Sequence, residues 1–193
     1  MNLDTRIFLA INNFARETTW LHPLMTTYAN DGVVVFAMLL LVGWWLARKN
    51  PDPMAMVATA WTPVGTVVAL LVYNPIALSI NRTRPCNALH EIVVLHCNTD
   101  AGFPSVHAVI AGAVAAGLWL VERRLGVIAA LAAGLMAFAR VYVGAHYPGD
   151  VLVGLALGAL VSLTGYFVCR PLVRGILDRL GKTPLRVLIT TSG

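Results

Sequence analysis

The sequence predicts an all-α fold, a polytopic membrane bundle of about five to six helices with an interfacial helix at its N-terminus. Two observations carry that expectation. The chain has 193 residues, of which 58% are hydrophobic and only 12% charged, whereas soluble domains are roughly half apolar and about a quarter charged. Its apolar residues also gather into runs near the ~20 residues that cross a hydrocarbon core about 30 Å thick, with Arg and Lys confined mostly to the gaps. A single membrane-embedded domain over 1–193 follows, its core at about 26–169 and a basic cytoplasmic tail at 170–193. No room remains for a second soluble domain.

Residues 3–19 are too polar to span, but Leu3, Ile7, Ala10, Ile11 and Phe14 recur at helical spacing, as in a helix lying in the interface. The start lacks the basic, apolar and small-residue regions of a signal peptide and reads as mature. The first span runs from about Thr26 to Ala47 and closes on Arg48 and Lys49. Asp31 near its outer end is either an interfacial residue or a site neighbour.

The second span covers about 53–80, where Pro63, Gly65, Asn74 and Pro75 are expected to kink or interrupt the helix. A polar loop follows to about Gly102. Spans three to five are expected at 105–121, 125–143 and 151–169. The Ala/Gly-rich stretch 108–117 and the pair Gly154 and Gly158 predict close helix packing.

Five spans put Arg48/Lys49, Arg123/Arg124 and the basic tail on one side, which the positive-inside rule makes the cytoplasm. The net charge of +5 is thereby read as topology. Nucleic acid is not an expected partner, because the cations form no stripe with interleaved aromatics. Cys86, Cys97 and Cys169 lack metal-type spacing. Cys86 and Cys97 share the polar loop, where an oxidising compartment permits a bridge, but their separation in sequence leaves it open.

The remaining cations, Arg6, Arg16, Arg82, Arg84 and Arg140, are expected toward the outer face, and the last three stand among three polar groups. These are Asn81-Arg82-Thr83-Arg84-Pro85, Gly102-Phe103-Pro104-Ser105-Val106-His107, and Arg140, His146 and Asp150 around the turn between spans four and five. Ionisable residues at membrane depth mark function by default. The topology brings all three groups to one end of the bundle, where a single site becomes plausible.

The chemistry that suits such a site is phosphoryl transfer. Arg84 and Arg140 can grip phosphate oxygens bidentately. Ser105 sits at a helix start, whose free N–H groups and dipole favour an anion. Asp150, four residues after His146, can fix the histidine tautomer and free its other nitrogen to attack phosphorus. His107 can protonate the leaving oxygen and later activate water.

The bland readings stand beside these: Arg82 as a snorkelling anchor, Ser105 as a cap, His146/Asp150 as a turn hydrogen bond. His22, His90 and His96 read as ordinary loop residues. No cofactor or metal is expected, since no carboxylate cluster has ligand spacing.

At these residues the chain resembles the type-2 phosphatidic acid phosphatase superfamily, relatives of the vanadium haloperoxidases. The signature there is Lys-x6-Arg-Pro, then Pro-Ser-Gly-His, then Ser-Arg-x5-His-x3-Asp. Here it stands as Arg84-Pro85, Pro104-Ser105-Val106-His107 and Ala139-Arg140-x5-His146-x3-Asp150. The resemblance implies a helical core acting on a lipid phosphate in the bilayer, with His146 forming a phosphohistidine, Asp150 orienting it and His107 as general acid. Arg84, Arg140 and Ser105 would hold the phosphate.

The family lysine falls at Ala77, and Arg82 is the candidate replacement. Asn12-Asn13-Phe14 and the run from Arg140 to Asp150 are most similar to the bacitracin-resistance branch of undecaprenyl pyrophosphate phosphatases, which work at the outer face of a bacterial membrane. Phosphatidic acid, phosphatidylglycerol phosphate and polyprenyl-phosphosugar phosphatases share the motifs. A non-catalytic lipid-binding or translocating protein is the alternative of another class.

Overall fold

The computed structural model describes residues 2–190, and among them the secondary structure is helical throughout. Helix α1 (Leu3–Glu17) opens on Asn2, whose side chain accepts from the Thr5 amide at 2.9 Å. Its inner face buries Phe8, Asn12 and Ala15, while Leu3, Ile7 and Phe14 are exposed. That is the two-faced helix the spacing predicts.

Helices α2 (His22–Asp31) and α3 (Val33–Lys49) meet at Gly32 with a bend of 60°. The first expected span is therefore a broken pair, and Asp31 lies exposed at the break. Helix α4 (Pro53–Ile80) begins on an Asp52 cap and continues through Pro63 and Pro75 without interruption. Its threonines turn their hydroxyls back to carbonyls four residues earlier, Thr59 to Ala55 and Thr62 to Ala58. In this way they satisfy themselves inside an apolar helix.

Short α5 (Pro85–Ala88) interrupts the polar loop, and the disulfide Cys86–Cys97, with Cα atoms 5.9 Å apart, closes that loop on itself. The question left open by the sequence is thus settled in favour of a bridge. Helices α6 (Val106–Val121), α7 (Arg123–Tyr142) and α8 (Pro148–Leu180) complete the bundle.

Among the described residues α4, α7 and α8 are long and apolar enough to cross a membrane, and the bent α2–α3 pair adds a fourth crossing if taken as one. Helix α6 is shorter, 16 residues, and lies at the centre against α3, α4, α7 and α8. The fifth span differs from expectation at its inner end. Helix α8 continues past position 169, through Pro171, for 33 residues in all, or about 50 Å. The tail then returns to α3, where Trp44 and Arg48 donate to the carbonyls of Leu188 and Val187 at 2.8 and 2.6 Å.

The α6–α8 contact sets the site's geometry. A Cβ at Gly112 would meet the Leu155 backbone, and one at Gly158 the Val109 carbonyl. Glycine at both positions lets the two backbones touch. At one end of the same contact the Ser105 amide donates to the Asp150 carbonyl at 3.0 Å, joining the second polar group directly to the third.

Candidate active site

All three polar groups meet at one end of the bundle. Arg84 precedes Pro85, which holds its backbone extended (φ −70°, ψ 153°) and ends any helical continuation from α4. The side chain is 2% exposed and fully engaged. Its Nε donates to the Asp100 carbonyl at 3.1 Å, one terminal nitrogen to the Asp100 carboxylate at 3.0 Å and the Ala101 carbonyl at 3.2 Å. The other terminal nitrogen donates to the Ala145 carbonyl at 3.2 Å and to His146 Nε2 at 2.7 Å.

The His146 tautomer follows from its partners. Nδ1 lies 2.8 Å from the Gly102 carbonyl, which can only accept, so Nδ1 carries the proton. Nε2 then presents its lone pair, toward Arg84 in this structure. The ring is fully buried in the turn between α7 and α8. Burial, reinforced by the Arg140 and Arg84 charges, holds its pKa well below the ordinary histidine range. With Nδ1 protonated, the Nε2 lone pair accepts from Arg84 at 2.7 Å.

This arrangement corrects two expectations. Asp150 does not hydrogen-bond the His146 ring: its carboxylate oxygen is 3.8 Å from Nδ1. It caps α8 instead, accepting from the Tyr147 amide at 2.8 Å, and pairs with Arg82 at 2.7 Å. The Gly102 carbonyl fixes the tautomer. Arg82 likewise is not aimed at an open phosphate position. Its guanidinium bridges Asp150 and Asp4, both at 2.7 Å, and stacks 4.2 Å from the Tyr147 ring centroid. Ala77, where the family lysine would stand, is buried in the last turn of α4.

Around His146 several polar atoms are buried without a partner: Ser105 Oγ, His107 Nδ1 and Arg140 Nε. Ser105 is the N-cap of α6, yet its hydroxyl makes no capping bond, and the first-turn amides of α6 lack intrahelical acceptors. Arg140, 1% exposed, donates to the Ala29 carbonyl at 3.0 Å. Buried unpartnered polar groups are unfavourable, and donors of this kind at one end of the bundle are chemically suited to an anion. His107 lies in the electrostatic field of Arg140, His146 and Arg84.

Residues that sequence reasoning did not single out also take part. Gly102 supplies the tautomer-fixing carbonyl and leaves room for Arg84, whose Cγ a Cβ there would approach to 3.0 Å. Asp100 and Asp4 hold the two arginines of the first motif. His96, read as an ordinary loop residue, is half-buried, and burial followed by the charges of Arg140 and Arg84 lowers its pKa. Backbone acceptors and loop carboxylates have no periodicity or motif to announce them. His90 is exposed, and His22 donates to the Ala15 carbonyl at 2.8 Å behind α1.

An apolar helical bundle with this cationic, histidine-centred site at one end defines a membrane-embedded protein built to handle phosphorylated lipid. The chain belongs to the PAP2 superfamily, whose family model matches residues 58–171. It is 26% identical over 180 residues to undecaprenyl-diphosphatase BcrC of Bacillus subtilis, covering 91% of this chain and 89% of that one. Among solved structures, Aquifex aeolicus LpxE superposes with a TM-score of 0.70 at 24% identity, over 85% of this chain and 94% of that one. A PAP2-type phosphatidylglycerolphosphate phosphatase from Bacillus subtilis gives 0.63 at 23% identity, over 94% and 90%. The helical expectation and the family resemblance both hold.

Proposed function

We propose that the protein hydrolyses a polyprenyl diphosphate or phosphate carrier at the extracytoplasmic face of a bacterial plasma membrane, through a phosphohistidine on His146 and without a metal. The observation that carries this reading is the neutral His146, its Nδ1 proton held by Gly102, among the unpartnered Ser105 Oγ, His107 Nδ1 and Arg140 Nε.

The terminal phosphate takes one face of the Arg84 guanidinium, displacing its contact with Nε2, and is held by Arg140, Ser105 and the first-turn amides of α6. The Nε2 lone pair attacks phosphorus, the bond to the leaving oxygen breaks, and His107 delivers a proton to that oxygen. Water deprotonated by His107 then cleaves the N–P bond, releasing inorganic phosphate and restoring neutral His146. Arg84 and Arg140 supply the fixed positive charge that phosphoryl transfer requires as oxygen charge develops. Asp150 orients the turn that carries His146 by capping α8.

Two features support the outer face. The Arg48/Lys49 and Arg123/Arg124 clusters stand at the opposite end, and the Cys86–Cys97 bridge belongs to an oxidising compartment. The polyprenyl substrate is favoured by the full-length similarity to a protein named undecaprenyl-diphosphatase. Phosphatidic acid and phosphatidylglycerol phosphate are the competing substrates.

The test is phosphate release by purified protein from polyprenyl diphosphate, polyprenyl phosphate, phosphatidic acid and phosphatidylglycerol phosphate, beside His146→Ala. Release from the polyprenyl substrates by wild type alone is expected. Equal release by both proteins sinks the nucleophile assignment, and no release from any lipid favours the lipid-binding alternative, which the alanine at position 77 motivates.

A further inference from the structure

We infer that Asp4, on the N-terminal helix, is a positioning residue for the His146 site, acting through Arg82 on Asp150. The inference rests on the reading of His146 as nucleophile and adds a residue outside all three motifs.

Asp4 touches the site twice. One carboxylate oxygen accepts from Arg82 at 2.7 Å, and the other accepts from the Gly149 amide, also at 2.7 Å. Gly149 lies in the first turn of α8, directly before Asp150, and a Cβ there would come within 3.1 Å of the Asp4 carboxylate. Two carboxylates, one from α1 and one from α8 itself, therefore cap the same helix start and share one guanidinium.

The exposures give the arrangement its sense. The Asp150 side chain is 0% exposed, and Arg82 and Asp4 are 30% and 23% exposed. A buried carboxylate needs a fixed cation. Arg82 alone, on a loop and partly in solvent, would keep its rotamer freedom. Asp4 grips the far side of the same fork, and Tyr147 lies under its face, so Arg82 is left with a single arrangement. That arrangement keeps Asp150 on the α8 cap and the following turns in register with the His146 ring 3.8 Å away.

The rest of α1 is tied elsewhere. The Asn12 side chain exchanges two hydrogen bonds with the Val93 backbone, at 2.7 and 2.9 Å, and Arg16 donates to the Glu91 carbonyl at 2.6 Å. Docking of the helix and positioning of Arg82 are thus separable by mutation.

The experiment uses the full chain in lipid nanodiscs and reads kcat and KM for polyprenyl diphosphate together with orthovanadate affinity. Vanadate serves as a probe of the phosphoryl site that needs no turnover. Asp4→Asn is expected to lower kcat and vanadate affinity by about tenfold each, with KM within about twofold, since small misplacement of a reacting group has effects of this order. Asp4→Glu recovers most of both losses, and Arg16→Ala stays near wild type.

Arg82→Lys keeps the charge without the two-sided fork and shows the same kcat loss, deciding the matter if Asp4→Asn fails to fold. Wild-type values for Asp4→Asn, or an equal loss in Arg16→Ala, overturn the inference. If wild type binds vanadate but hydrolyses no lipid, the functional reading falls while the vanadate series still judges Asp4. Neither binding nor hydrolysis by wild type overturns both.

Discussion

Replacing Arg84 with lysine keeps the charge of the first motif and removes its shape. The guanidinium presents five N–H groups to five acceptors, on Asp100 twice, Ala101, Ala145 and His146. An ammonium has three donors and no planar fork, so at least two acceptors lose their partner at a position that is 2% exposed. Hydrogen bonds to charged groups contribute about 1.5–3 kcal/mol each. Those losses fall on folding; in the transition state, where the proposed phosphate takes over N–H groups of the fork, losing one or two charged hydrogen bonds costs about 3 kcal/mol, or a fall in kcat/KM of about 100-fold. The assay is inorganic phosphate release from polyprenyl diphosphate in nanodiscs, with a thermal melt to separate misfolding from misbinding. An Arg84→Lys enzyme that folds normally and keeps kcat/KM within about threefold of wild type would refute the assignment of Arg84 as the forked phosphate ligand.

Three further outcomes are expected. Ser105→Ala removes an uncommitted hydroxyl that plays no part in capping α6; kcat/KM should fall by roughly tenfold with the melting temperature almost unmoved, and a large drop in melting temperature would mean the hydroxyl is structural. Gly158→Leu drives a side chain into the Val109 carbonyl; overpacking of this kind costs about 1–3 kcal/mol or more, read as a lowered thermal midpoint, and an unchanged midpoint would contradict the backbone contact of α6 with α8. The histidine pKa shifts give a pH dependence. His146 and His96 both lie below the ordinary value of 6.5, so the unfolded chain binds more protons as pH falls through 6.5, and stability present above that pH is lost below it. His146→Gln should flatten the decline in melting temperature between pH 7 and 5, and an equally steep decline would remove His146 as its source.

How far the site was legible depended on the kind of group. Apolar runs and basic clusters place the ends of the helices, and those ends alone bring Arg84, Ser105, His107, Arg140 and His146 together. The glycines of α6 and α8 announce close packing because nothing else explains small residues at that spacing. The sequence could not show which acceptor would meet His146. A carboxylate four residues away looks adequate, yet the Tyr147 amide and Arg82 claim Asp150 first, and a backbone carbonyl at Gly102 has no letter of its own. The pairing of Arg82 is not legible in the sequence because its partner Asp4 lies 78 positions away, beyond any local pattern. The break at Gly32 and the long inner end of α8 were missed for a related reason: hydropathy measures how apolar a stretch is, not the direction its axis takes.

The contact between Arg84 and Asp100 bears on how a turnover ends. The buried guanidinium already has a carboxylate beside it, supplied by an exposed loop residue. On the proposed mechanism an arriving phosphate replaces the His146 contact of Arg84 and not this one, so departure of the product would leave a cation still paired with a carboxylate instead of stranding one in an apolar setting. A standing counter-charge of this kind would weaken the hold of the site on released phosphate.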